Sequence, residues 1–203
     1  HPNGDAEFPN ATYGYEHGIC LPTFPTLTEV QVKYVCDAIK QYQGRDVFYK
    51  YYDSIFKQKD YSQETQLLFK LSDQYGLGKP AKILEIGTGT GNHTKYLTDS
   101  NSEVVSLDID PKMSEIARSK LLKNGKVDRL RIITKPVEEL EENNFDLAFA
   151  MFNVVTYIPT FEKLQTFIQS VADKLSPGGI FVYDCWNGAA AVIDPPKSKK
   201  IVV

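Results

Sequence analysis

Between Glu85 and Gly91 the chain reads Glu-Ile-Gly87-Thr88-Gly89-Thr-Gly91, three glycines at alternate positions directly behind the apolar run Lys82 to Ile86. Glycine lets the backbone turn tightly and lets a ligand touch the main chain without a Cβ in the way. His93-Thr-Lys-Tyr-Leu97 then suits a helix, whose first N–H groups have no internal partner. A second apolar run, Glu103 to Leu107, ends in Asp108. A carboxylate at that point can accept both ribose hydroxyls of an adenosine. Each such charge-assisted hydrogen bond is worth about 1.5–3 kcal/mol. The chemistry indicated is the binding of a nucleotide-like ligand.

The spacing selects among such ligands. A dinucleotide fingerprint, G-x-G-x-x-G, needs its third glycine at position 92, which is Asn92. Glu85 and the closer spacing to Gly91 instead resemble motif I of class I S-adenosylmethionine (AdoMet) methyltransferases. That resemblance implies S-adenosyl-L-methionine as cofactor. Its methionine end would lie against Glu85, Gly87, Thr88, Gly89 and Gly91, and its ribose on Asp108. It also implies an adenine contact from Ile109, a residue that equally suits core filling at a strand end. Many members carry an acid after the third strand that binds the adenine amino group. Here Thr134-Lys-Pro136-Val137-Glu138 has Pro136 there, so either Glu138 or backbone groups near Val137 read the base. Ala150-Met151-Phe-Asn153 matches the segment passing beside the methionine moiety, which assigns Met151 to the cofactor.

Flanking residues narrow the resemblance. Tyr52-Asp53 and Lys59-Asp60-Tyr61 are similar to the opening of bacterial methyltransferases acting on nucleotide-linked amino sugars, in which tyrosines of this region close over AdoMet and the substrate. Met151 to Pro159 and Tyr183-Asp184-Cys-Trp186-Asn-Gly188 resemble the same group and relatives in polysaccharide gene clusters. Residues 1–43, through Gly18-Ile-Cys-Leu21-Pro22 and Thr28-Glu29-Val-Gln31, resemble the C-terminal tail of a DegT-type PLP-dependent sugar aminotransferase. The implied partners are a nucleotide-sugar substrate and a sugar aminotransferase, fused or associated; neither nucleic acid nor membrane is expected.

Methyl transfer from a sulfonium is an in-line displacement, so a protein contributes alignment and exclusion of water. An acceptor amine must still lose a proton, which a nearby carboxylate, imidazole or phenolate could take. Tyr61, Asn153, Tyr157, Asp184 and Trp186 are the candidates by position, with Asp184 foremost and Tyr157 and Tyr61 beside it; His93 is expected to pack at the start of the motif I helix. A methyltransferase for another small metabolite, or a truncated AdoMet-binding module without catalysis, would fit the same motifs.

The elements that must carry these residues are legible in the pattern. Apolar runs Lys82–Ile86, Glu103–Leu107, Leu130–Thr134, Asp146–Met151 and Ile180–Tyr183 have strand length and composition. Asp110-Pro111 starts a helix lined by Met113, Ile116, Ala117 and Leu121 and closed by Gly125. Leu164, Phe167, Ile168, Val171 and Leu175 line another from about Thr160, stopped by the turn Pro177-Gly178-Gly179. Upstream, Thr28 caps a helix to Ile39 that Gly44 breaks, and an aromatic cluster (Phe48, Tyr49, Tyr51, Tyr52, Phe56) precedes a helix over about Asp60–Tyr75. Leu67, Leu68, Leu71 and Tyr75 form that helix's expected buried stripe. Alternating strands and helices give an α/β fold with a parallel sheet covered on both faces. The expectation is a Rossmann-like class I three-layer sandwich lacking its last two strands. Its order is a tail (1–43), lid helices (44–79) and a C-terminally truncated cofactor domain (80–203), the end from Asp194 starting a sugar-binding insertion.

Composition sets the frame. The 203 residues are 42% hydrophobic, enough for a core without metals or disulfides. A net charge of −3 gives no long-range attraction to nucleic acid or anionic lipid. Cys20, Cys36 and Cys185 lack metal-ligand spacing and read as reduced thiols. No stretch approaches the ~20 apolar residues a bilayer requires, so a cytoplasmic protein is expected.

Overall fold

The computed structural model describes residues 44–122 and 128–185, with Thr28, Glu29 and Lys33; at 44–47, Asp99 and Leu122 it describes the backbone alone. Most of the tail, Gly125, Trp186 and the segment from Asp194 lie outside these residues. The chain divides into two units after Val47, and the account below concerns the second, Phe48 onward.

Helix α1 (Gly44–Ile55) begins at the glycine expected to break a helix, because the residues after it carry the 3.6-residue period. Helix α2 (Tyr61–Gln74) is capped by Asp60, whose carboxylate accepts from Gln63 N. Its buried face is Thr65, Leu68 and Ser72, rather than the expected leucine stripe. Leu67 is 47% and Tyr75 69% exposed. The helix is rotated because Leu68 and Phe69 face the sheet, while Ser72 Oγ donates to Gly78 O at 2.6 Å. Polar groups satisfied locally can share a buried face with leucine.

Then follow β1 (Lys82–Ile86), α3 (Thr94–Leu97), β2 (Glu103–Asp108), α4 (Pro111–Leu122), β3 (Leu130–Thr134), β4 (Phe145–Ala150), α5 (Phe161–Lys174) and β5 (Leu175–Tyr183). The five strands form one parallel sheet in the order β3-β2-β1-β4-β5. Alternation sorts the core onto two faces. Leu84, Ile86, Val105, Leu107, Ala148 and Ala150 pack with Phe167 and Val171 of α5. Ile83, Val104, Leu147 and Phe149 pack with Leu68, Leu97 and Leu121 of α2, α3 and α4. The result is the expected three-layer, Rossmann-like fold. Each fully buried large apolar side chain contributes about 1.5–3 kcal/mol over its exposed state.

β5 differs from expectation. Instead of a turn at Pro177-Gly178-Gly179, the strand starts at Leu175 and absorbs that segment as an irregularity, with Phe145 opposite Leu175 but Leu147 opposite Ile180. The strand edges β2 and β4 also differ by one residue from the expected bounds. Among the described residues no helix is long and apolar enough to cross a membrane.

Candidate active site

At the carboxyl end of β1 the loop folds back over β2. Gly87 N and Thr88 N donate to Leu107 O at 2.8 and 2.9 Å, and Gly89 N donates to Asp108 Oδ2 at 2.6 Å. Asp110 N donates to Asp108 Oδ1 at 2.8 Å. Burial raises the Asp108 pKa above the ordinary carboxylate value despite these N–H groups. Each of its oxygens still has lone-pair capacity for a hydroxyl. Gly87 has φ +82°, and a Cβ there would lie 2.3 Å from Val154 Cγ2. Only glycine meets both conditions.

Glu85 lies beneath the loop, 1% exposed. Its Oε2 accepts from Thr94 Oγ1 at 2.5 Å and Ser106 Oγ at 2.6 Å, while Oε1 has no partner among the described residues. Burial pushes this carboxyl up to about 7. Gly91 faces Ala117 and Leu121 of α4, where a Cβ would approach Leu121 Cδ1 to 2.9 Å. These two motif residues therefore brace the loop from behind.

Above the strand ends opens a cavity of about 970 Å³, of the size expected for a small-molecule site. Gly87, Thr88, Gly89, Asp108, Ile109, Val137, Met151, Tyr52, Tyr61 and Tyr157 all line it; of the sequence candidates, Glu85, Gly91 and Asp184 do not. Ile109 is 75% exposed beside buried Val137. On the cavity wall and so exposed, Ile109 does not fill the core. Both Val137 and Glu138, the alternatives for reading the base, lie on the wall.

Helix α1 roofs this space. Tyr49 donates its hydroxyl to Asp110 Oδ2 at 2.6 Å. Asp53 accepts from Thr90 Oγ1 at 2.6 Å and Asn92 Nδ2 at 3.0 Å, and pairs with Lys120 Nζ at 2.7 Å. Phe48, Tyr52, Phe56 and Phe152 form a run of edge-to-face and tilted rings with centroids 4.9–5.3 Å apart. Burial, with the neighbouring Tyr61 and Tyr157, drives the Tyr52 hydroxyl far above its ordinary pKa, so it stays a phenol.

The Tyr61 ring meets His93 edge-on at 4.9 Å. Asn92 approaches its buried hydroxyl, yet no hydrogen bond of good geometry satisfies it among the described residues. His93 packs as expected, 6% exposed, with Nε2 2.7 Å from Glu64 Oε2. Glu64 also pairs with Lys59. Burial holds His93 below its ordinary pKa although Glu64 opposes the shift. Tyr157 stands 85% exposed at the rim. Asp184 Oδ1 accepts from Asn153 N at 2.6 Å. Asn92 and Lys120 had no site role in the sequence reading, and Tyr49 stood there only in the aromatic cluster, although Tyr49, Tyr52, Asp53 and Phe56 carry a helical period.

Comparison with known proteins agrees with this geometry. Residues 83–179 match the methyltransferase domain family. The mitochondrial ribosomal RNA small subunit methyltransferase of Arabidopsis thaliana is 33% identical over 105 residues, 50% of this chain and 28% of that protein. The dTDP-3-amino-3,4,6-trideoxy-alpha-D-glucopyranose N,N-dimethyltransferase of Streptomyces venezuelae is 27% identical over 145 residues, 70% of this chain and 55% of that protein. The chain thus spans about half or less of the length of these curated relatives. An S-adenosylmethionine-dependent methyltransferase from Clostridium acetobutylicum superimposes with a TM-score of 0.60 at 22% identity, over 70% of this chain and 56% of that one. Residues 83–179 therefore carry a match to a methyltransferase domain, on a fold shared with S-adenosylmethionine-dependent methyltransferases.

Proposed function

We propose that this chain belongs to an enzyme that methylates the amino group of a nucleotide-linked amino sugar. One observation carries the reading: a single cavity runs from the glycine loop and Asp108 to a mouth of aromatic rings. Similarity over 70% of the chain to a dTDP-amino-sugar N,N-dimethyltransferase supports the acceptor class. Such an acceptor sets the work in the cytoplasm, in saccharide assembly, and makes a sugar aminotransferase, fused or associated, the supplier of the amine.

The wall fits an adenosine with an amino-acid arm. Asp108 would hold the ribose, Ile109 and Val137 the adenine, and the main chain at Gly87, Thr88 and Gly89 the methionine arm. Met151 and Tyr52 would border that arm, with Glu85 and Gly91 bracing the loop. S-adenosylmethionine, when bound, supplies an electrophilic methyl carbon. The chain's residues align the acceptor and keep water out: α1 roofs the cavity, and its rings leave few polar partners for solvent. The unpartnered Tyr61 hydroxyl and the rim hydroxyl of Tyr157 are the groups for orienting the amine and relaying its proton.

The test is incubation of the protein with methyl-labelled AdoMet and separate dTDP-amino sugars, RNA and proteins. Label should enter the amino sugar as an N-methyl group. Label entering only RNA or protein overturns the substrate class. Calorimetry with AdoMet separates an inactive binding module, which still takes up ligand, from a chain that only packs.

A further inference from the structure

Directly after β4 the backbone adopts two consecutive left-handed residues, Phe152 (φ +71°) and Asn153 (φ +62°). Asparagine tolerates this region, but a bulky phenylalanine there costs on the order of 1–3 kcal/mol and persists only where its surroundings fix it. Several contacts do so here. Asp184, one residue beyond β5, takes the Asn153 N–H at 2.6 Å. Thr156 donates its N–H and its hydroxyl to Asn153 O at 3.0 and 2.6 Å. The Phe152 ring stands edge-on to Phe56 at 4.9 Å and lies 4.5 Å from Lys59 Nζ. The next residue, Val154, fills the space a side chain at Gly87 would need.

The division between these residues is informative. Phe152, Asn153 and Val154 line the cavity, and Asp184 does not. A carboxylate that does not line the cavity, with one oxygen committed to the main chain, is poorly placed to take a proton from a ligand within it. It is well placed to hold the wall's shape.

We propose that Asp184 is a positioning residue for the methyl acceptor. Its carboxylate locks the strained Phe152–Asn153 turn, which presents the Phe152 ring and the Asn153 side chain to the acceptor beside the glycine loop. Asp184 therefore acts as a hydrogen-bond acceptor for the protein's own backbone and not as the base. This rests on the methyl-transfer reading above.

Two variants separate the roles. Asp184→Asn keeps an oxygen that can accept the Asn153 N–H, while removing any basic carboxylate. Asp184→Ala removes both. With labelled AdoMet and the best dTDP-amino sugar, Asp184→Asn should keep kcat within about 3-fold and leave the pH profile of kcat unchanged, whereas Asp184→Ala should lose about 10- to 100-fold, the scale of one hydrogen bond to a charged group. AdoMet affinity by calorimetry should change little in either. An Asp184→Asn variant as inactive as Asp184→Ala, with the acidic limb of the profile abolished, would overturn the proposal in favour of a base.

A second readout needs no acceptor. The Asn153 amide proton of the AdoMet-loaded protein should resonate far downfield, keep most of that shift in Asp184→Asn and lose it in Asp184→Ala. An ordinary shift in the unaltered protein removes the proposed lock even if Asp184→Ala fails to fold. Absence of transfer to any amino sugar with the downfield amide present counts against the substrate reading alone.

Discussion

The carboxylate of Asp53, on helix α1, accepts the hydroxyl of Thr90, in the glycine loop, at 2.6 Å. The same Oδ1 atom accepts from Asn92, and Oδ2 pairs with Lys120. Helix α1 and the glycine loop are thereby one hydrogen-bonded unit, with Tyr49 and Asp110 forming a second tie. Asp53→Ala should weaken AdoMet binding by about 3- to 30-fold, the range for one to two such bonds at a partly exposed site. Its side chain is 46% exposed, so thermal stability should change little. Isothermal titration alongside a melting curve checks both; unchanged affinity would show that the roof is held by its rings alone.

Asp108 should matter more for the ligand than for the fold. Asp108→Ala removes the carboxylate that accepts from Gly89 N and Asp110 N. AdoMet affinity should fall by about 10- to 100-fold, consistent with lost charge-assisted hydrogen bonds. An affinity equal to that of the unaltered protein, or a ligand found elsewhere by crystallography, removes the basis of the proposed function.

Gly87 and Val154 should be coupled energetically. Gly87→Ala incurs about 1–2 kcal/mol for a left-handed backbone plus about 1–3 kcal/mol for overlap with the valine. Val154→Ala in the same chain should recover the overlap part and leave the backbone part. Urea unfolding of the two single variants and the double variant measures this. Strict additivity would mean that the two side chains do not meet.

Glu85 predicts a pH dependence of stability. Its carboxyl is raised in the folded chain from 4.5 to about 7 by burial. The folded state thus holds a proton that the unfolded state releases, so stability from this group is full below pH 4.5 and declines as pH rises toward and through about 7. A shift of that size corresponds to about 3 kcal/mol at most. Glu85→Gln, which can still accept from Thr94 and Ser106, should flatten the decline between pH 5 and 8. If the variant's denaturation midpoint follows the same slope as the parent's, Glu85 is not the titrating group.

Much of this was open to reading from residues alone. Strands β1 and β3 fall where apolar runs of β-branched residues stood, and Asp110-Pro111 opens α4 because cap chemistry is local. The glycine spacing marked the cavity floor because only a few backbone shapes follow from it. What stayed hidden is non-local. Glu85 stands two residues before the first glycine, yet its direction depends on Ser106 and Thr94, contributed by a neighbouring strand and a later helix. Asp184 was legible as a polar residue at a strand end, but not its engagement with Asn153, thirty-one positions away. The face of α2 was misjudged since Thr65 and Ser72 look solvent-exposed until their backbone partners are known. Helix α1 was legible only as an aromatic cluster within the lid helices of 44–79, without bounds of its own, although Tyr49, Tyr52, Asp53 and Phe56 carry its period.

The sheet order turns at β1, and that reversal splits the labour of the pocket. Most of what is assigned to the donor nucleotide follows β1, β2 and β3, while Met151, proposed to border its methionine arm, and Asn153 through Tyr157, proposed to face the incoming molecule, follow β4. Under the proposed function, drift in the half that follows β4 would change the acceptor more than the donor. The seam where the halves touch, glycine against valine, is the place such drift would be least tolerated.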